Sequence, residues 1–338
     1  MGDDNPQISV IIPVYNNAED VQRCLDSIAG QTYADWEAIC VDDGSTDASG
    51  EILDQMAARD SRFKIIHQAN GGASRARNTG LAHVTAPYIT MVDADDWLEN
   101  KALEQLYTCM QQNPCDLVVA GRRKVYKSKE PIEGFPAFAP GVYRLHPSYI
   151  LFLNRGPCGK LYKREILHRN HIEFPENVVW GEDYVFNVKY WCHAKKVYCM
   201  KEIVYNYVES MTSVSDKFLA GMLPHAVYEA AIRLSVIVHD SVLAYQGGNH
   251  LMSDWVKAIA AGHLIEQSWV IDDVPHTWEE KRRLRKISRE CYSELACHLK
   301  FSERFHIKML YYVNWWRCFP FRVLGKIKRA LKKMLRIW

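Results

Sequence analysis

Tyr88-Ile89-Thr90-Met91-Val92-Asp93-Ala94-Asp95-Asp96-Trp97-Leu98-Glu99 begins as an apolar run rich in β-branched and aromatic residues and ends in a cluster of carboxylates. The pattern predicts a strand covered on both faces that delivers acids to its C-terminal tip, the edge where open α/β sheets hold ligands. Carboxylates this crowded repel one another unless positive charge sits between them, and a divalent cation is the usual solution. A helix cap accounts for one of them. Asp96 and Glu99 have capping-box spacing, which predicts a helix over 97–112. Asp93 and Asp95 have no such structural task, which makes them the candidates for ligand chemistry.

Outward from this stretch, strand and helix patterns alternate. Ile8 to Asn17 has the texture of a covered strand that stops at Pro13, and Val21, Leu25 and Ile28 mark one helical face behind Asn17 and Asp20 at cap spacing. Trp36–Val41 is the next strand, 48–58 a helix with Ile52, Leu53 and Met56 inward, Phe63–His67 a third strand and 73–83 a short helix. This fourfold alternation predicts an α/β fold, a Rossmann-like, mostly parallel sheet flanked by helices. A strand at 116–121, a Pro/Gly-marked loop at 127–141, a helix over 145–153 and a short strand at 160–162 follow. Trp180-Gly181-Glu182-Asp183 then opens a helix with Val185, Phe186, Val188 and Tyr190 inward, and 197–208 is a strand or strand pair. Past Lys217 long helical patterns prevail, among them 226–243 and 251–270. Three segments result: an α/β domain over 1–215, an α-helical C-terminal region over 216–300 and a tail over 301–338.

The chain has 338 residues, 48% of them hydrophobic, and a net charge of +2, values that fit a globular protein and exclude disordered and fibrous classes. The charge is unevenly spread. Residues 301–338 hold ten Lys/Arg against the single acid Glu303, interleaved with Trp315, Trp316, Phe319, Leu324, Ile327, Leu331 and Trp338. Aromatic and aliphatic groups beside lysines describe a helix lying in a membrane interface, and three tryptophans favour a membrane over nucleic acid as its partner. The ten cysteines form no C-x-x-C pair, no apolar run reaches eighteen residues, and the first residues contain no signal-peptide core. The expected location is cytoplasmic, peripheral on the inner face of the plasma membrane. The long C-terminal helices can pair between subunits, which makes a homo-oligomer conceivable.

Three strand ends hold polar groups: Pro13-Val14-Tyr15-Asn16, Asp42-Asp43-Gly44-Ser45 and Asp93-Ala94-Asp95. Parallel strands bring them to one edge. A ring such as Tyr15 can stack on a nucleobase and an acid such as Asp43 can accept the imide N–H of uracil, although Asp42 to Asp47 is equally the composition of a turn capped by Asp47. No G-x-G-x-x-G follows the first strand and no G-x-x-x-x-G-K-[ST] occurs, so a nucleotide is held without a glycine loop. A cation on Asp95 can take its place by bridging a diphosphate, with Arg75 and Arg77 nearby.

Ile11-Ile12-Pro13-Val14-Tyr15-Asn16, Asp42-Asp43-Gly44-Ser45-Thr46-Asp47, Gly71-Gly72-Ala73-Ser74-Arg75-Ala76-Arg77-Asn78-Thr79-Gly80 and Val92-Asp93-Ala94-Asp95-Asp96-Trp97, in this order, resemble the family 2 glycosyltransferases with the GT-A fold. A weaker match through Gly159-Lys160-Leu161-Tyr162 and Glu182-Asp183 extends the resemblance to about 8–215. It implies an inverting, metal-dependent transferase of the bacterial surface-polysaccharide type. The donor is a nucleotide sugar, expected to be a UDP-sugar, and the acceptor a hydroxyl of a glycan or lipid-linked molecule. By that resemblance Pro13, Tyr15, Asp43 and Asp93 bind the nucleotide or its sugar, Arg77 and Asn78 support the pocket, and Asp95 binds Mn²⁺ or Mg²⁺. Asp183 is the general base, with Trp180 and Glu182 as acceptor-binding candidates. Without the resemblance, Glu182-Asp183 is simply a negatively charged first helical turn. The Q-x-x-R-W motif and membrane-spanning helices of processive synthases are absent, which points to single additions. The rival readings are a sugar-phosphate nucleotidyltransferase, disfavoured because no glycine-rich basic loop follows the first strand, and a non-catalytic membrane-peripheral scaffold, disfavoured by intact Asp95 and Asp183.

Overall fold

The computed structural model describes residues 5–126, 130–134, 139–144, 156–176, 178, 181–209, five positions between 228 and 236, and 277–296. The expected helices over 145–153 and 251–270, Trp180 and the tail lie outside these residues, as does most of 226–243.

The first half alternates β1 (Ile8–Val14), α1 (Val21–Ala29), β2 (Trp36–Asp42), α2 (Ser49–Arg59), β3 (Phe63–His67), α3 (Ala73–His83) and β4 (Tyr88–Met91). These strands pair in parallel in the order β3-β2-β1-β4, so the chain returns past β1 and leaves a switch point between the C-terminal ends of β1 and β4. The physical cause is composition. All seven residues of β2, and all of β1 but Pro13, are buried, as apolar strands covered by helices must be. α3 lies on β1 and β2. Its approach depends on Gly80, where a Cβ would fall 2.5 Å from Ile11 Cγ2.

Beyond β4 the sheet becomes mixed. β5 (Trp97–Leu98), α4 (Ala102–Gln112), β6 (Leu117–Tyr126), β7 (Ile132–Gly134), β8 (Gly141–Arg144), β9 (Lys160–Lys163), α5 (Arg164–Arg169), α6 (Glu182–His193) and β10 (Lys196–Glu209) follow. Antiparallel β9 is inserted between β4 and β6, and β10 runs parallel to β6. Val185, Phe186, Val188 and Tyr190 of α6 are fully buried, as their spacing predicts. One C-terminal helix, α7 (Trp278–Ala296), is described, and Leu234 belongs to the same buried cluster as the sheet.

Two local expectations are corrected. No helix starts at Trp97: residues 97–98 pair with β10, and α4 begins at Ala102. Asp96 is fully buried and spends its carboxylate on the Tyr205 hydroxyl (2.5 Å) and the Val208 N–H (2.7 Å), while Glu99 accepts from Arg123 and Asn206. Long-range partners on β10 outcompete a local cap. The supposed loop at 127–141 contains β7 and the start of β8, because the extended edges of β6 and β10 carry backbone groups that need partners.

At the opposite end of the sheet, buried Glu37 gathers Ser9 Oγ (2.6 Å), the Thr85 N–H and hydroxyl (2.7 Å each) and Lys64 Nζ (2.5 Å). Burial alone would raise its pKa, but these donors outweigh it and bring it from 4.5 down to about 2. A depressed carboxylate stabilises the fold fully above its unfolded pKa and loses that contribution as pH falls through the folded one. The thermal midpoint of Glu37→Gln should therefore lie below that of the parent at neutral pH and converge on it between about pH 4.5 and pH 2. A constant gap across a pH series of melts would contradict this account.

Candidate active site

The C-terminal ends of β1, β2 and β4 and the N-terminus of α6 form one site. Tyr15 stands just past β1 with 52% of its surface exposed. Its neighbours knit the first two loops together: the Asn16 N–H donates to Ser45 Oγ (3.0 Å), and Asn16 Oδ1 accepts from the Thr46 N–H (2.8 Å). Pro13, inside β1, is half-buried. Asp43 is only 2% exposed and accepts from Gln68 Nε2 (2.6 Å) and the N–H groups of Gly71 and Gly72 (3.0 and 2.7 Å). A base edge thus reaches Asp43 only by sharing oxygens that already anchor the loop before α3.

Arg77 is the link between the two halves. Its side chain is 7% exposed, and it donates through one terminal nitrogen to Asp93 Oδ1 (2.8 Å) and through the other to Asp183 Oδ1 (3.0 Å), with Glu182 Oε1 at 3.5 Å. Asp93 leaves the tip of β4 and Asp183 the first turn of α6, so one guanidinium joins elements far apart in sequence. Asp93 also lies against the Cys158 thiol (3.6 Å), and its N–H donates to the Tyr205 hydroxyl (3.2 Å). Asn78 faces elsewhere: it donates to the Phe174 carbonyl (2.9 Å) and accepts from the Phe174 N–H (2.8 Å), seating the segment before α6.

Burial raises the Asp183 carboxyl, and Glu182 and Asp93 add to this against the opposing charges of Arg77 and Lys160, giving a pKa of about 7. A base poised there can accept a proton near neutral pH. Asp95 is raised to about 6, by burial first and by Asp93 second. Its backbone carbonyl accepts from Arg23, but no side-chain ion pair closes on its carboxylate among the described residues. No cluster of three or more His, Cys, Asp or Glu suited to a metal occurs among them either. A carboxylate pressed by like charge and lacking a cation fits a metal held by one protein acid and completed by substrate oxygens, a common arrangement for small hard cations.

Lys160, Cys158, Tyr205 and Phe174 also belong to the site, although local pattern did not single them out for it. Lys160 is fully buried on β9, donates to the Gly156 carbonyl, and is lowered to about 7 by burial. Its place in the Gly159-Lys160-Leu161-Tyr162 match was the one available signal. Tyr205 lies 112 residues from Asp93, beyond the reach of any local pattern.

Residues 9–170 match the model of glycosyl transferase family 2. EpsJ, an uncharacterized glycosyltransferase of Bacillus subtilis, is 33% identical over 222 residues, 62% of this chain and 63% of that protein. A poly(ribitol-phosphate) beta-glucosyltransferase of Bacillus spizizenii is 32% identical over 206 residues, 60% of this chain and 32% of that protein. The chain therefore spans less than two thirds of the length of these relatives. Among solved structures, S. aureus TarS 1-349 in complex with UDP-GlcNAc superposes with a TM-score of 0.59 at 19% identity, covering 86% of this chain and 90% of that one. That likeness identifies the fold as GT-A. With the motifs converging at one sheet edge and the family model matching across them, residues 9–170 of the chain are a family 2 glycosyltransferase region.

Proposed function

We propose that the protein transfers a sugar, with inversion, from a UDP-sugar to a hydroxyl of a glycan or lipid-linked acceptor in cell-surface polysaccharide assembly. The observation that carries this reading is the joining of Asp93 and Asp183 by Arg77 at the switch point of the sheet, with Asp95 two residues from Asp93. Tyr15 stacks on the base, Pro13 and Asp43 shape its pocket, Asn78 holds the segment before α6 through Phe174, and Asp93 contacts the ribose or sugar. Asp183 takes the proton of the acceptor hydroxyl as that oxygen bonds to the anomeric carbon. The bond from that carbon to the diphosphate oxygen breaks on the opposite face, and its electron pair leaves with UDP. Asp95 would hold Mn²⁺ or Mg²⁺, which when bound neutralises charge on the departing diphosphate. Glu182 and Trp180 flank the acceptor. The basic, aromatic tail supports placing the enzyme at the inner face of the membrane that carries a lipid-linked acceptor; among the described residues no helix is long and apolar enough to cross one.

UDP with Mn²⁺ should raise the thermal midpoint of the wild type, and Asp95→Ala should abolish the gain while keeping the midpoint of the free protein. A hundredfold excess of ligand over its dissociation constant stabilises by about 2.7 kcal/mol, enough to see in a melt. Equal gains in the two proteins would remove Asp95 from the metal site, and no gain in either would remove the nucleotide.

A further inference from the structure

We propose that Arg77 is a positioning residue for the base, holding the Asp183 carboxylate in one orientation by a guanidinium fork that also grips Asp93, and is not a donor-phosphate contact. The inference rests on the reading of Asp183 as general base. It changes the part Arg77 plays from supporting the nucleotide to holding the base that takes the acceptor proton.

The guanidinium is fixed from several directions. One terminal nitrogen is taken by Asp93 and the other by Asp183, with Glu182 behind it. Its charged centre lies 5.2 Å from the centroid of the Phe174 ring, and that ring stacks on Phe186 at 4.0 Å with only 3° between planes. The next residue in α3, Asn78, pins the backbone of the same Phe174 through two hydrogen bonds. Consecutive residues of one helix thus hold the ring and lie over it. Arg77 Nε is buried with no hydrogen-bond partner among the described residues, a cost tolerated where the rest of the fork is committed. To reach a phosphate, the buried side chain would have to release two half-buried acids and with them two charge-assisted hydrogen bonds.

The groups facing Asp183 are Arg77 from α3, Asp93 from the tip of β4, Glu182 beside it on α6, and Lys160 and Tyr162 from β9. Arg77 is the one cation among them in direct contact with the carboxylate. A lysine keeps the charge but presents a point donor that cannot span both acids in fixed geometry.

The test is Arg77→Lys, assayed as UDP release from UDP-glucose and UDP-GlcNAc with water as acceptor, beside calorimetric titration of UDP with Mn²⁺. The expected result is a kcat lower by roughly ten- to a hundredfold, the size of losing one oriented charge-assisted contact. The acid limb of the pH–rate profile should move to higher pH, while donor KM and UDP affinity stay within about threefold. Should Arg77→Lys fail to fold, Phe174→Leu removes the surface under the guanidinium and should produce the same split between kcat and KM, in smaller measure. A fall in UDP affinity that matches the fall in turnover, with the acid limb unmoved, would overturn the inference and return Arg77 to the diphosphate. Unchanged kinetics would overturn it as well. Asp183→Asn, run alongside, separates the two levels: if it keeps turnover, the base reading itself fails; if it is inactive while Arg77→Lys behaves as wild type, only this inference does.

Discussion

Replacing Asp183 with Asn should lower turnover by ~10²–10⁴-fold, the usual contribution of one positioned base, while UDP binding and the melting temperature stay close to those of the parent. The amide keeps the size and one acceptor oxygen of the carboxylate, so Arg77 can still donate to it, and Asp93 and Glu182 continue to neutralise the guanidinium. What is lost is the lone pair that takes the acceptor proton. The pH dependence gives the sign. Burial lifts the Asp183 carboxyl from 3.8 to about 7, so the active, deprotonated form accumulates as pH rises through neutrality, and kcat should climb on that limb and then level. A carboxylate of ordinary pKa would already be flat there. Donor-hydrolysis rates at pH values on either side of 7, with calorimetric UDP affinities for both proteins, decide the matter. Asp183→Asn with near-parental turnover would mean that the proton leaves by another route. Loss of UDP binding in step with activity would mean that the residue serves the donor.

The parts of this site legible in the sequence are those built from local pattern. β1 to β4 form from apolar runs punctuated by turn residues, and the tips carrying Tyr15, Asp43 and Asp93 follow because parallel strands share an edge. Asp96 was misread for a definite reason. Its spacing to Glu99 satisfies a capping box, but the Tyr205 hydroxyl and the Val208 N–H arrive from more than a hundred residues away and bind it in the core. The same holds for Arg77. Beside Arg75 on a short helix it has the local look of a solvated cation, and only the arrival of the β4 tip and the first turn of α6 beside it makes it a buried link between two acids. Sequence separation, not residue type, is what hid these contacts. Antiparallel β9 was seen as a strand, but its insertion between β4 and β6 follows from which edges remain open after the parallel half has formed.

Gly181→Ala should destabilise the protein and disable it together, because this residue carries two constraints at once. It holds the N-cap position of α6 in the left-handed region (φ 88°, ψ 18°), where a side chain costs ~1–2 kcal/mol. A Cβ built there would overlap Leu234 Cδ2, and Leu234 is fully buried, so relief requires repacking at a further ~1–3 kcal/mol. Against a total stability of about 5–15 kcal/mol for a typical domain, the sum is a large fraction. The cheaper escape is a shift of the first turn of α6. That shift would carry Glu182 and Asp183 away from Arg77, and a displacement of about 1 Å at reacting groups can cost 10²-fold in rate. The contact also gives the C-terminal region a task, since a residue beyond β10 sets the turn from which the proposed base projects. Adding Leu234→Ala should distinguish the two constraints. It opens space for the new methyl group, so the double variant should regain part of the melting temperature and turnover lost in Gly181→Ala, leaving the backbone term. Strictly additive losses in the melts would show that Leu234 does not bear on Gly181, and a Gly181→Ala protein with parental midpoint and rate would show that α6 starts without either constraint.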